Sequence, residues 1–399
     1  MLPPLDGLRV LAVEQYGAGP FGTQHLADLG AEVIKIENRK LGGDYARALG
    51  PYFVEGAAEG QGSLFFQSIN RNKKSLTLDL GKPQAQEVLH RLVADADAVA
   101  NNLRGDVPEK LGLTYEALKS ANKRIVCTHC SGYGREGPRK TWPGYDFLMQ
   151  AEAGYFHLSG EPDTPPTRMG LSIVDFMAGT YLAMGLLAGV IGARTSGVGR
   201  DVDVNLFDTA LYSLSYLSAW ALNSDYDPKR VARSAHASLA PCQLYKTKDG
   251  WIFVMCNKEH FWPLLCKKID REELIDDARF ISFRERLKNR DELTIVLDEV
   301  FQQATTREWL DKLQGGIPVA PVKTPREALE DPKLRANGKI DTLHINAQST
   351  YEMLATPILA GQKIASTPCP PIGADSVDIL SDAGYSAEEI AEMKAAGTI

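Results

Sequence analysis

Residues 8–37 read LRVLAVEQYGAGPFGTQHLADLGAEVIKIE, and this stretch decides the fold. Residues 8–14 are a short apolar run of strand length, 19–29 follow a helical pattern with Pro20 where a first turn tolerates it, and 31–37 are a second apolar run. Strand, helix and strand in succession make a βαβ unit, which places the two strands parallel in one sheet. The loop between them, Gly17-Ala-Gly19-Pro-Phe-Gly22, has the G-x-G-x-x-G spacing, and Glu37 stands 20 residues beyond Gly17, where an acid would meet a ribose hydroxyl. On spacing alone the ligand is a nicotinamide cofactor and the protein an oxidoreductase.

The same alternation runs on from there. SLTLDL at 75–80, a helix over 83–94, DAVANNL at 97–103, a helix near 114–121 and RIVCTHC at 124–130 imply a mostly parallel sheet covered by helices. SGVGRDVDVNLFDTALYSLSYL then predicts a glycine-rich turn, a short strand and one long helix to about Asn223. The polar segment NSDYDPKRVARSAHASLA breaks the pattern, and CQLYKTKDGWIFVMC reads as a hairpin turning at Asp249-Gly250. A mixed unit follows as far as IPVAPV at 317–322, and SAEEIAEMKAAGTI predicts a terminal surface helix. The fold class is α/β, with a large domain over 1–223, a smaller α+β domain over 224–325 and a return to the large domain over 326–399.

A chain of 399 residues that is 44% hydrophobic buries a sizeable core. Its formal charge of −7 leaves no global basic field, which argues against nucleic acid or an anionic membrane as partner. No charged leader with an apolar core precedes residue 15, so the expected location is the cytoplasm. Residues 176–193 approach membrane-spanning length, but their four glycines and flanking charges predict a buried, closely packed helix. The six cysteines read as reduced core thiols, including the close pair Cys127 and Cys130.

Asp175 is the residue most in need of a role. In PPTRMGLSIVDFMAGTYLAMGLLAGVIG at 165–192 it sits among Ile173, Val174, Phe176 and Met177, at the expected start of that apolar helix. It reads either as the helix N-cap or as a carboxylate whose desolvation raises its pKa and its nucleophilicity toward an acyl carbon. The basic clusters Arg71-Asn-Lys73-Lys74 and Arg104 to Lys110 read either as solvated charge or as contacts to a polyanionic ligand.

Together these motifs resemble the class III CoA-transferase family, which includes formyl-CoA transferase, carnitine CoA-transferase and α-methylacyl-CoA racemase. The resemblance rests on LDGLRVL at 5–11, GAGPFGTQHLADLGAEVIKIE at 17–37, NRNKKSLTLDL at 70–80, SGYGREGP at 131–138, PGYDFLMQA at 143–151, GEPDTPPTRMG at 160–170, IVDFMAG at 173–179 and GVGRDVDVNLFD at 197–208. It implies that Asp175 is the acyl-accepting nucleophile of an acyl-CoA:carboxylate CoA-transferase, working through an aspartyl-CoA thioester. It also implies a Rossmann-like large domain and two chains interlocked as a dimer, of one chain type or with a paralogous subunit. Coenzyme A enters as substrate rather than as a tightly held cofactor, and no metal is required. By motif position the CoA contacts fall at Gly17, Ala18, Arg39, Leu78, Asn102, Leu103, Arg104, Lys110, Gly144 and Tyr145.

Two departures qualify the resemblance. Many members have Arg directly after the KIE acid, whereas here Asn38 precedes Arg39, and the glycine-run loop of oxalate-handling members is replaced by ARSAHASLAP at 232–241. Oxalate is therefore not the favoured acceptor. The racemase branch pairs the Asp with a His 30 positions earlier, and here that position is Tyr145, a phenol poorly suited to act as a base at neutral pH. Transfer is favoured over racemisation, and over the nicotinamide reading.

Overall fold

Val10, Leu11 and Ala12 are consecutive and all fully buried, so both faces of the strand that carries them are covered. The structure is a computed structural model that describes residues 2–361 and 363–399. In chain order its first elements are β1 (Arg9–Val13), α1 (Ala18–Asp28), β2 (Glu32–Glu37), β3 (Lys74–Thr77), α2 (Pro83–Val93), β4 (Ala98–Asn101), β5 (Val126–Ser131), α3 (Asp146–Glu152), α4 (Ile173–Ser196), β6 (Arg200–Asn205), α5 (Leu206–Tyr212) and α6 (Tyr216–Asn223). The six strands are all parallel, in the order β3-β2-β1-β4-β5-β6, with Leu11 opposite Ile34 on one side and Val99 on the other. This is the doubly wound order, whose direction reverses between β1 and β4. The loops leaving those two strands diverge there and open a crevice.

The sheet core joins Leu11, Ile34, Leu76 and Val99 to Val88, Leu89 and Leu92 of α2. Helix α4 is long and apolar enough to cross a membrane by length and composition. In this fold it packs along α1 and against β5 and β6. At its crossing with α1 the two backbones touch: a methyl group on Gly22 would lie 2.4 Å from the Gly179 carbonyl oxygen, and one on Gly179 would lie 2.4 Å from that of Ala18. Only glycine permits this approach.

The predicted long helix before 223 is in fact two. Ser215 takes φ 51°, in the left-handed region, and separates α5 from α6. Two of the residues at the break, Ser213 and Ser215, are serines, which favour such interruptions over helix interiors. Strand β3 also stops short of the predicted 75–80, at Thr77.

The first basic cluster is structural, not ligand-facing. Lys73 is wholly buried; its Nζ lies 2.7 Å from Glu14 Oε1 and donates to the Pro20 carbonyl and to Asn70 Oδ1. Arg71 forms a fork onto Asp28, at 2.6 Å for the closest pair. Beside them Lys35 is paired with Asp44 at 2.8 Å. Such buried charges are tolerable because each is matched by an opposite charge or by several hydrogen-bond partners.

The chain divides into two units, one running to Ala153 and resuming over Met169–Ser224 and Leu334–Ile399, the other made of Gly154–Arg168 and Asp225–Lys333. The sequence reading placed 154–168 in the large domain and the return at 326. Residues 154–168 associate with the second unit because Arg230 Nη1 donates to the carbonyls of Thr164 and Pro165, and Glu161 accepts the Arg233 N–H. That unit contains the antiparallel hairpin β7 (Cys242–Lys246) and β8 (Trp251–Met255), then α7 (Phe261–Lys268), α8 (Arg290–Phe301), α9 (Thr306–Leu313) and β9 (Val319–Pro321), which pairs with β8. Trp262, Phe280, Leu297, Phe301 and Trp309 form its core. The return to the first unit supplies the hairpin β10 (Ile340–His344) and β11 (Thr350–Leu354), then α10 (Ser376–Asp382) and α11 (Ala387–Ala395). Helix α11 is a surface helix on one face only, since Ile390 and Met393 are buried in the sheet core.

Candidate active site

The crevice at the strand reversal is a cavity of about 490 Å³. Its walls come from the loop after β1 (Gln15 to Ala18), the loop after β4 (Asn102 to Arg104), the end of β5 (Cys130 to Gly132) and the approach to α3 (Pro143 to Tyr145), and Asp175 of α4 also lines it. The first two walls are stapled by a reciprocal amide pair: Gln15 N–H donates to Asn102 Oδ1 at 2.9 Å, and Asn102 Nδ2 donates to the Gln15 carbonyl at 2.6 Å. Open α/β sheets bind ligands at this position, beyond the carboxyl ends of the strands where the order reverses.

Asp175 is not the N-cap. Helix α4 begins two residues earlier, at Ile173, and its N-cap Ser172 makes no side-chain cap hydrogen bond. The capping carboxylate is Asp146, the first residue of α3: its Oδ2 accepts the N–H groups of Val174 at 2.7 Å and of Asp175 at 3.0 Å. Gln150, one turn further along α3, donates to Asp146 Oδ1 and to the Leu171 carbonyl, tying the loop before α4 to the same anchor. Asp175 is thereby released from capping.

The Asp175 side chain is only 6% exposed and packs against Gly17, where a methyl group would lie 2.2 Å from its Oδ2. Gly17 is the N-cap of α1 and has no side chain to close that helix, so the first N–H groups of α1 open beside the carboxylate. Burial, reinforced by the charge of Asp146, raises the Asp175 pKa to about 7. Tyr16 holds φ 70° with its N–H bonded to Asp44 Oδ1 at 2.9 Å; burial and then the charge of Asp175 raise its phenol pKa, keeping it protonated. The Cys130 thiol is likewise pushed up, by burial first and by Asp175 second.

Of the residues inferred from the motifs, Gly17, Ala18, Asn102, Leu103, Arg104, Gly144, Tyr145 and Asp175 line this one cavity. Leu78, 1% exposed, belongs to the hydrophobic core and lies outside this lining. Arg39 and Lys110 lie outside the lining: Arg39 donates to the Ile372 carbonyl, and Lys110 shares Asp106 with Arg104. Sequence reading missed Asp146, although it quoted that residue beside Gly144 and Tyr145, because nothing in the spacing shows which backbone a carboxylate will cap. Tyr16 and Gln15 were also missed.

The nicotinamide reading fails on Glu37. Its carboxylate is gripped by Arg47 at 2.6 and 2.7 Å and accepts from Ser75 Oγ and the Asp44 N–H. Burial alone would raise its pKa, but the Arg47 hydrogen bonds and charge lower it to about 2. No acceptor capacity faces a ribose. The racemase reading lacks its second base: among the described residues no histidine lines the cavity, and His129 is buried between Asn101 and Asp201.

A family model matches the chain that builds this glycine-lined crevice and its desolvated carboxylate. CoA-transferase family III aligns with residues 5–376. The chain belongs to that family. The transferase is 33% identical to human succinyl-CoA:glutarate CoA-transferase over 408 aligned residues, covering all of this chain and 90% of the relative. It is 34% identical to acetyl-CoA:oxalate CoA-transferase of Acetobacter aceti, covering 84% of this chain and 85% of the relative. Among solved structures, a CAIB/BAIF family protein from Brucella suis superposes with a TM-score of 0.81 at 31% identity, covering 96% of this chain and all of that one. The protein is an acyl-CoA:carboxylate CoA-transferase with CoA thioesters as substrates.

Proposed function

We propose that Asp175 is the nucleophile that carries CoA from an acyl donor to a carboxylic acid acceptor. The observation that carries this reading is its desolvated carboxylate at the strand-reversal cavity, facing the open N-terminus of α1. An Asp175 oxygen attacks the donor thioester carbonyl, forming a mixed anhydride and expelling CoA thiolate. The thiolate attacks the aspartyl carbonyl, giving aspartyl-CoA thioester and free donor acid. The acceptor carboxylate attacks that thioester to form a second anhydride and thiolate, and the thiolate then takes the acceptor acyl group, restoring Asp175. Each oxyanion forms beside the N–H groups of Gly17 to Gly19, which supply the electrostatic stabilisation. Burial excludes the water that would hydrolyse both intermediates.

Gly17, Ala18, Asn102 to Arg104, Gly144 and Tyr145 hold the CoA, with Arg104 toward its phosphates and Arg39 and Lys110 as outlying charges. The acceptor is a small carboxylic acid; the relatives named above act on glutarate and on oxalate, and the missing glycine-run loop weighs against oxalate. The working form is an interlocked dimer, which would cover the exposed apolar side chains along α4 to α6, among them Ile191, Tyr212 and Leu222. Its compartment is the reducing cytoplasm, which suits six free buried cysteines.

Asp175→Asn tests the nucleophile. The amide nearly preserves shape but cannot form the anhydride, so transfer should vanish while CoA binding persists. Wild type incubated with acyl-CoA and then hydroxylamine should carry a hydroxamate on Asp175, seen by peptide mass spectrometry. Near-normal turnover by Asp175→Asn would overturn the assignment. Assay of succinyl-CoA against a panel of mono- and dicarboxylates defines the acceptor, and light scattering gives the oligomeric state.

A further inference from the structure

A second cavity, of about 610 Å³, lies wholly within the unit formed by 154–168 and 225–333 and shares no residue with the Asp175 cavity. Lys229, Arg230, Arg233, Lys288 and Arg290 line it, against a single lining carboxylate, Asp291. Arg233 is neutralised by Asp298 at 2.6 Å. Among the described residues the other four cations have no carboxylate partner: Arg230 donates to the Thr164 and Pro165 carbonyls, and Arg290 to those of His236 and Leu239. The Arg290 Nε is buried with no hydrogen-bond acceptor at all.

Carbonyl oxygens orient a guanidinium without cancelling its charge, so Arg230 and Arg290 are held in place without an ion pair. Val231, Leu287 and Ile295 supply an apolar wall, and the volume falls in the range of small-molecule sites. The geometry points to a second ligand site, which binds a small multiply charged oxyanion between the guanidinium groups of Arg230 and Arg290, with Lys229 and Lys288 at the rim. Paired guanidinium groups match carboxylate and phosphate alike. The site is independent of the mechanism assigned to Asp175.

Calorimetric titration of the full chain at low salt tests it, with pyrophosphate as the phosphate probe, glutarate as the dicarboxylate probe and butyrate as the monoanion control. At least one multiply charged probe should bind saturably and lose that binding in Arg290→Gln, and butyrate should not bind; the arm that does so tells phosphate from dicarboxylate. Arg290→Gln should weaken that binding about tenfold or more. Lys288→Gln, on an exposed side chain that leaves the fold undisturbed, should weaken it about threefold and flatten its salt dependence. Arg104→Gln, in the other cavity, should leave it unchanged. Amide hydrogen exchange should show protection by the probe over 229–233 and 287–295. Absence of saturable binding by both probes, binding that Arg290→Gln leaves intact, or binding that is lost in Arg104→Gln and intact in Lys288→Gln, would overturn the proposal.

Discussion

Asp146 acts on Asp175 in two ways, by holding the start of α4 in place and by adding negative charge to a site already short of water. The ionised form of Asp175 is the one that attacks, so kcat/KM should fall about tenfold per pH unit below the Asp175 pKa of about 7. Asp146→Asn keeps an acceptor for the Val174 and Asp175 N–H groups but removes the charge. Its acid limb should therefore move to lower pH; an unmoved limb would mean that burial alone sets the pKa. Stability gives a second readout. A carboxyl group whose pKa is raised on folding binds its proton more tightly when folded, so its contribution falls as pH rises from about 4 to about 7 and stays low above that. The shift of roughly 3 units is worth about 4 kcal/mol at most. Asp175→Asn removes that penalty and should melt at a higher temperature than wild type at pH 8, though not at pH 4, in the same experiment that shows it inactive.

At the scale of elements, the α1 and α4 crossing sets the position of the nucleophile. Asp175 lies one turn before Gly179, and Gly17 lies five residues before Gly22, so the backbone contact of the two later glycines fixes the approach of the two earlier residues. Gly179→Ala should force the helices apart, destabilise the protein by about 1–3 kcal/mol and lower kcat more than it raises KM for acyl-CoA. Gly192→Ala on the same helix is the control: its methyl would meet only Arg200 at ordinary contact distance, and helix propensity favours alanine by about 1 kcal/mol. Equal losses in both variants would remove the crossing from the mechanism. The sequence showed the glycines and the order of strands and helices, because apolar periodicity is local. Spacing alone pointed Gly17, Gly19 and Gly22 toward a nicotinamide cofactor, whereas in the fold Gly17 makes room for Asp175, Gly19 for the Asn102 side chain and Gly22 for the other helix. Those partners lie far along the chain, and spacing carries no information about them.

Across the whole molecule, charge was the feature least legible in advance. Arg71 and Lys73 read either as solvated charge or as ligand contacts, and Glu37 on spacing alone as a ribose contact, yet each is consumed by a partner on another element: Asp28, Glu14 and Arg47. Conversely, Arg230 and Arg290 drew no attention, since their lack of carboxylates emerges only after folding. The Glu37 and Arg47 pair predicts acid sensitivity of the first unit. A carboxyl group whose pKa is lowered on folding stabilises above its unfolded value and loses that contribution as pH falls through 4.5 toward 2, here about 3 kcal/mol. Glu37→Gln should lower the melting temperature at pH 7 and flatten its decline between pH 5 and 3; a parallel decline would assign acid lability elsewhere. The parallel sheet is sealed by Ile379, Leu380, Ile390 and Met393, residues made after the entire second unit. On the ribosome, then, the stretch 225–333 can fold while the sheet that carries the nucleophile still waits for its last helices, so a nascent chain halted near residue 370 should expose that apolar sheet face and depend on chaperones until synthesis resumes.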